Sequence, residues 1–353
     1  MITVYGWSDA LQQQFQTYAA RGLVPARVIV QQRGLYVLAA PTGEVNALLS
    51  GRFAHAAEAG AYPVAGDWVA AAVRTAEASA TIHHLLPRRS AFVRKAIGGG
   101  AQVVAANVDV AFLVASLNAD LNPRRIERYL ATAWESGASP VVVLTKADLC
   151  DDPEAHKASV EAVALGVPVH VVSAVTGQGL ADLSASFAPG QTAALLGSSG
   201  VGKSSLVNAL AGATLMATQA IRDQDARGRH TTTHRELVLL PGGRLLLDTP
   251  GMRELGLWDA QAGVATTFAD IEALFMECRF RDCAHGAEPG CAVRAALMDG
   301  ALDAGRWRSY AKLQREAARL ARRDNPHQRS ELRKIWVQRA KHHRVQKKRR
   351  MEE

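Results

Sequence analysis

The chain has 353 residues, too many for one hydrophobic core and enough for two or three domains, and 48% of them are hydrophobic, an ordinary globular composition. No run approaches the roughly 18 uninterrupted apolar residues that a membrane span needs, which argues against membrane association. The formal net charge is +8, but residues 306–353 alone hold 17 Lys or Arg against 5 Asp or Glu, so the rest is net acidic and any polyanion contact is expected at the tail. Met1 to Leu11 lacks a basic segment followed by an apolar run, so a cytoplasmic location is expected. From Val24 to Leu86, short β-rich runs alternate with Gly, Pro and Asp turns, predicting a small all-β barrel of the oligonucleotide-binding kind. Arg27, Arg33 and Arg52 are its candidates for RNA contact, whereas Trp68 and His83-His84 read as packing or surface residues.

After Gly98-Gly-Gly the texture changes to alternating strands and helices. Val110 to Val114 reads as a strand buried on both faces. Asn122 and Pro123 then supply an N-cap and a first-turn proline for a helix that buries Ile126, Leu130 and Trp134 and stops at Gly137. Further strands are predicted at Val141 to Leu144, Val167 to Val172 and Ala193 to Leu196, giving a mostly parallel α/β sheet. Past Trp258 the pattern is helical, interrupted by a Cys/His cluster and by Asn325-Pro326.

The segment Gly197-Ser198-Ser199-Gly200-Val201-Gly202-Lys203-Ser204 follows a predicted strand and opens a predicted helix beginning near Ser205, the context a phosphate-binding loop requires. Its backbone N–H groups converge on phosphates, Lys203 neutralises β and γ oxygens, and the Ser204 hydroxyl ligates magnesium. Thr145-Lys146-Ala-Asp148 ends a strand, where an aspartate accepts from the guanine N1 and exocyclic amine together while the lysine stem covers the ring. Ser173-Ala174 ends the next strand and closes over the base. Asp248-Thr-Pro-Gly251 ends a predicted hairpin around Pro241-Gly-Gly, with Asp248 reaching magnesium and the Gly251 amide reaching the γ-phosphate. The threonine-rich stretch Gly228 to Thr233 supplies a further magnesium hydroxyl; Thr232 is taken as the candidate, with Thr231 and Thr233 equally allowed by the sequence. Base-reading elements precede the phosphate loop, the reverse of the usual order. The predicted fold is therefore a circularly permuted P-loop GTPase that binds GTP and GDP.

Arg89-Ser-Ala-Phe-Val-Arg94, Ala106-Asn-Val-Asp109, Asn122-Pro-Arg-Arg-Ile-Glu-Arg-Tyr-Leu130, the permuted motifs and Cys278-Arg-Phe-Arg-Asp-Cys283-Ala-His285 together resemble the bacterial small-ribosomal-subunit-dependent GTPases, the RsgA or YjeQ type. The resemblance spans residues from about 24 to 320. It implies an RNA-binding barrel over residues 1–95, a permuted GTPase over 96–258 and a zinc domain over 259–320, in a protein that acts on the 30S subunit and 16S rRNA late in maturation; the basic extension over 321–353 departs from the family core and has no match in it. A monomer is expected. Thr145 departs from the asparagine that most GTPases place there to tether the base-binding loop to the phosphate loop.

After the Asp-x-x-Gly motif, where Ras-like enzymes carry a glutamine that orients the attacking water, stands Met252, which cannot do so. His230 is the candidate catalytic residue in its stead, with His234 as its rival. The contrasting expectation is an RNA-binding assembly factor whose GTPase fold senses nucleotide without turnover. The spacing Cys278-x4-Cys283-x-His285-x5-Cys291 supplies three thiolates and one imidazole, a closed tetrahedral set suited to one structural zinc. The run Arg329 to Arg350 is expected to lie along RNA phosphates.

Overall fold

The structure, a computed structural model, describes residues 1–32, 34–57, 62–95, 101–118, 121–216, 235–248 and 261–324. Five strands form the first unit: β1 (Val24–Gln32), β2 (Leu35–Ala40), β3 (Gly43–Leu49), β4 (Trp68–Arg74) and β5 (Ser79–Leu85). They pair in the order β1-β2-β3-β5-β4, and β4 returns to β1 to close a barrel. Four of its contacts are antiparallel and β3–β5 is parallel, the Greek-key arrangement of an oligonucleotide-binding barrel. Alternation along β3 buries Val45 and Ala47 inside while Glu44, Asn46 and Leu48 face outward.

Two helices accompany the barrel. Helix α1 (Asp9–Ala19), capped by the Ser8 hydroxyl, seats Leu11 and Phe15 in the core, and the short α2 (Gly51–Ala56) follows β3. The α1 face was not anticipated from sequence, although Ser8 and the i, i+4, i+7 spacing of Leu11, Phe15 and Tyr18 carry the signal. Trp68 is 1% exposed and packs edge-on against Trp7, in keeping with a structural role.

A hairpin, β6 (Ala91–Lys95) and β7 (Ala101–Ala106), leads from the barrel into the nucleotide-binding sheet. That sheet contains β8 (Val110–Ser116), β9 (Ser139–Thr145), β10 (Val169–Val171), β11 (Thr192–Leu196), β12 (Arg235–Leu239) and β13 (Leu245–Asp248). Its order is β10-β9-β8-β11-β13-β12, parallel except for the β12–β13 hairpin. Helix α3 (Pro123–Ser136) covers one face; α5 (Leu180–Ala185) and α6 (Lys203–Ala211) cover the other, while α4 (Pro153–Glu161) leads into β10. As the sequence predicts, Asn122 Oδ1 accepts from the Arg124 and Arg125 amides at the start of α3, and Gly137 ends it with φ 85°.

The barrel and the sheet are hydrogen-bonded into one surface. Val30 and Gln31 of β1 pair antiparallel with Glu236 and Arg235 of β12, so eleven strands run without a break. Arg27 reinforces this junction. Its guanidinium donates to the Tyr5, Gly66 and Asn107 carbonyls and to Thr192 Oγ1, and it is 1% exposed. Burial pulls its pKa down to about 10, which still leaves it charged at neutral pH. The expectation that Arg27 contacts RNA is therefore corrected: a guanidinium enclosed by three carbonyls and a hydroxyl from four chain segments has no face for a phosphate. Arg52 is exposed, and Arg33 lies outside the described residues.

Helices α7 (Gln261–Thr267), α8 (Ala269–Met276), α9 (Ala292–Met298) and α10 (Ala304–Asp324) form the C-terminal unit around Val264, Phe268, Ile271, Val293 and Leu313. It docks on α3. The pair is close because Gly263 has no side chain: a Cβ there would strike the Ala131 carbonyl. Arg306 fastens the contact, using all five N–H groups on Asp270 (two bonds), Glu127, the Val163 carbonyl and the Thr267 carbonyl. Arg128 adds a two-pronged pair to Glu316 at 2.6 and 2.7 Å.

Candidate nucleotide site and metal cluster

Register brings the motifs to one edge. Ser116 lies opposite Thr145, Leu196 opposite Leu113, and Ala194 opposite Leu247, so β8, β9, β11 and β13 all end on the same side. This is the carboxyl edge of a parallel sheet, where such folds bind ligands. Residues 197–202 leave β11 there as a loop and α6 begins at Lys203. Gly200 and Gly202 take φ of 78° and 91°, the left-handed values that let the loop fold back on itself. The Lys203 ammonium donates to the carbonyls of Gly197 at 2.7 Å and Ser198 at 2.5 Å, which holds it across the mouth of the loop. Ser199 and Gly200 are exposed, Val201 is buried, and Ser204 and Ser205 open α6 half-buried.

The residues expected to read the base join this loop directly. The Thr145 hydroxyl approaches two carbonyls, Val201 at 2.6 Å and Ala115 at 3.2 Å, and its single proton favours the shorter contact. The tether expected of asparagine is thus made by threonine. Lys146 takes a left-handed conformation, φ 62°, which turns the chain so that Asp148 stands exposed beyond the sheet edge. Parallel pairing of β9 with β10 carries Ser173 and Ala174 to the same place, and the buried Ser173 hydroxyl donates to Asp148 Oδ1 at 2.5 Å. That bond fixes one carboxylate oxygen and orients the acid.

Asp248 ends β13 beside the phosphate loop strand, after the hairpin that Pro241-Gly-Gly turns. Its side chain, Gly251, Met252, His230, Thr232 and His234 lie outside the described residues, as do Arg329 to Arg350.

Sequence reasoning missed two neighbours of the loop. Arg125 Nη1 donates to Ser198 Oγ at 3.1 Å and the Tyr129 hydroxyl lies 3.5 Å from the same atom. They bound a small cleft between α3 and the phosphate loop, with Val114, Ser116 and Val201 on its other walls. The available signal was their i, i+4 spacing, which puts both on one helix face.

The cysteine cluster assembles as its spacing predicts. One ligand atom from each of Cys278, Cys283, His285 and Cys291 lies within 4.8 Å of the others, and His285 Nδ1 is 3.6 Å from the sulfurs of Cys278 and Cys291. His285 holds a left-handed φ of 57°, and its ring stacks on Phe275 at 4.1 Å, which fixes the plane of the imidazole. Four soft or borderline donors gathered within 4.8 Å of one another can hold one metal ion, and a full set of four protein ligands is the pattern of a closed structural site.

Residues 85–258 match the family described as RsgA GTPase. Over 337 residues the chain is 48% identical to the small ribosomal subunit biogenesis GTPase RsgA of Opitutus terrae, covering 92% of each chain. Its identity to the protein of that name from Streptomyces coelicolor is also 48%, over 96% of this chain and 92% of the other. The chain belongs to the RsgA GTPase family. The crystal structure of YjeQ from Thermotoga maritima superposes with a TM-score of 0.64 at 25% identity, covering 84% of this chain and 99% of that one. YloQ, a circularly permuted GTPase, superposes with a TM-score of 0.61 at 24% identity, covering 86% of this chain and 96% of that one, and shares the fold. As an RsgA GTPase the chain is a hydrolase of GTP, and its permuted order of motifs is the family's architecture.

Proposed function

We propose that this protein binds the small (30S) ribosomal subunit through 16S rRNA, assists its late maturation, and hydrolyses GTP to GDP and phosphate in response to that subunit. The observation that carries the reading is the shared carboxyl edge on which Thr145, Asp148, Ser173 and Lys203 meet, joined by the Thr145–Val201 and Ser173–Asp148 hydrogen bonds. Relatives named for small-subunit biogenesis support the choice of partner.

In this proposal Asp148 selects guanine, Lys146 covers the ring, Ser173 and Ala174 close over it, and residues 197–205 cradle the phosphates. Ser204, Asp248 and Thr232 would hold magnesium, which supplies charge neutralisation on the β and γ oxygens. Gly251 contacts the γ-phosphate and His230 orients the attacking water. The cysteine cluster carries one structural zinc, residues 1–95 and the basic extension bind RNA, and the protein is a cytoplasmic monomer with domains at 1–95, 96–258, 259–320 and 321–353.

The deciding experiment is multiple-turnover GTP hydrolysis with and without purified small subunits. The rate should rise with subunit concentration to saturation, and His230→Ala should abolish the rise while leaving GTP affinity intact. A rate indifferent to subunits would remove them as the partner.

A further inference from the structure

Ser198 is the residue at which two cations meet the phosphate loop. Its carbonyl accepts from Lys203 and its hydroxyl accepts from Arg125. Arg125 comes from α3, an element outside the recognised nucleotide motifs, and that helix is itself held on its far side. Arg124 pairs with Glu127 and Asp303, Glu127 with Arg306, and Arg128 with Glu316. The guanidinium is therefore delivered to the loop by a braced helix and not by a free surface side chain.

We propose that Arg125 is a positioning residue for GTP hydrolysis. Through the Ser198 hydroxyl it fixes the first turn of the phosphate loop, and its charge favours the triphosphate over the diphosphate. The physical grounds are two. A hydrogen bond from a charged donor is roughly twice as strong as a neutral one, so it restricts the loop turn that also anchors Lys203. A permanent cation that shares Ser198 with the lysine expected to neutralise the terminal phosphates interacts more with the more highly charged ligand, and it does so from a partly buried position where screening is reduced. An arginine supplied in cis is a recognised way of favouring the charge of phosphoryl transfer. This inference rests on the reading that residues 197–204 hold the phosphates of GTP.

The test is single-turnover GTP hydrolysis with protein in excess, which needs no ribosomal subunit, combined with affinities for fluorescent GDP and a non-hydrolysable GTP analogue. Arg125→Ala should slow hydrolysis by roughly tenfold, the low end of what a hydrogen bond to a charged group contributes, with GDP affinity changed less than about twofold. The preference for analogue over GDP should fall several-fold in Arg125→Ala and Arg125→Gln and be retained in Arg125→Lys, which keeps the charge. Losses from Arg125→Ala and Ser198→Ala should be strongly non-additive in the double variant, as required of a residue acting through its partner. Unchanged hydrolysis and preference in Arg125→Ala, or additive losses, would overturn the proposal. Lys203→Ala is the control for the underlying reading: should it still bind nucleotide normally, the phosphate-loop assignment fails first, and Arg125 with it.

Discussion

The Thr145 hydroxyl donates to the Val201 carbonyl at 2.6 Å, so the end of β9 and the loop over residues 197–202 are one hydrogen-bonded unit. Val201 is 4% exposed, and removing the donor strands a carbonyl away from water. Thr145→Val should cost about 1–3 kcal/mol at this contact and weaken guanine nucleotide binding tenfold or more. Thr145→Ser keeps the hydroxyl and should stay within about twofold of the parent. Equilibrium titration with fluorescent GDP distinguishes the two.

Guanine selection is expected to follow Asp148, whose carboxylate is oriented by Ser173. Asp148→Asn should shift preference from GTP towards xanthosine triphosphate, because the amide donates where the carboxylate accepted. Competition binding reads the ratio, and an unaltered ratio removes Asp148 from base recognition.

Arg306 is 4% exposed, and Glu127 is 0% exposed. Arg306→Met leaves Asp270 and Glu127 facing one another with Arg124 as the remaining partner of Glu127, a loss of about 3 kcal/mol or more. Hydrogen exchange should quicken along α10, and changing Glu127 to Gln in the same chain should recover part of the loss. Unaltered protection of α10 in the single variant would show that the helix is held by its apolar face alone.

Acidification should loosen the same interface. The hydrogen bond from Arg128 holds the Glu316 carboxyl below the usual glutamate range. A lowered folded-state pKa means that the pair contributes fully above the unfolded glutamate value, and that the contribution is lost as pH falls through the lowered one. Exchange protection of the segment around Glu316 should therefore decline below the ordinary glutamate pKa, and Glu316→Gln should remove that pH dependence.

Much of the site was legible because its chemistry is local. The glycines and lysine of residues 197–204, between an apolar strand and a helix start, point to a phosphate loop from local sequence, and Asn122, Pro123 and Gly137 mark both ends of α3. The cysteine cluster is legible for the same reason. What sequence could not convey is which distant strands and side chains become neighbours. Val30 meets Glu236, Arg27 meets Thr192, and Arg125 meets Ser198, each across a separation that no periodicity encodes. Arg27 was misjudged because a basic residue on a barrel strand has the same local signature whether its end reaches solvent or a cage of carbonyls.

Removing metal should affect the C-terminal unit alone. On the proposed zinc assignment, chelation or Cys283→Ser should lower bound zinc from one per chain to none and unprotect the amides from Cys278 to Met298, because the short segment between Cys278 and Cys291 has little core of its own. GDP affinity should be unchanged within about twofold, since Lys203 and Asp148 depend on the parallel sheet.

The stitching of β1 to β12 makes the first ninety or so residues indispensable to the rest. Cut away, they would leave β12 as a naked margin with unmatched amides and carbonyls, and would strip the Asn107 carbonyl and the Thr192 hydroxyl of their Arg27 donor. A truncated chain beginning after the barrel is expected to stick to copies of itself along that margin, so the barrel doubles as the nucleotide-binding sheet's protection against self-association.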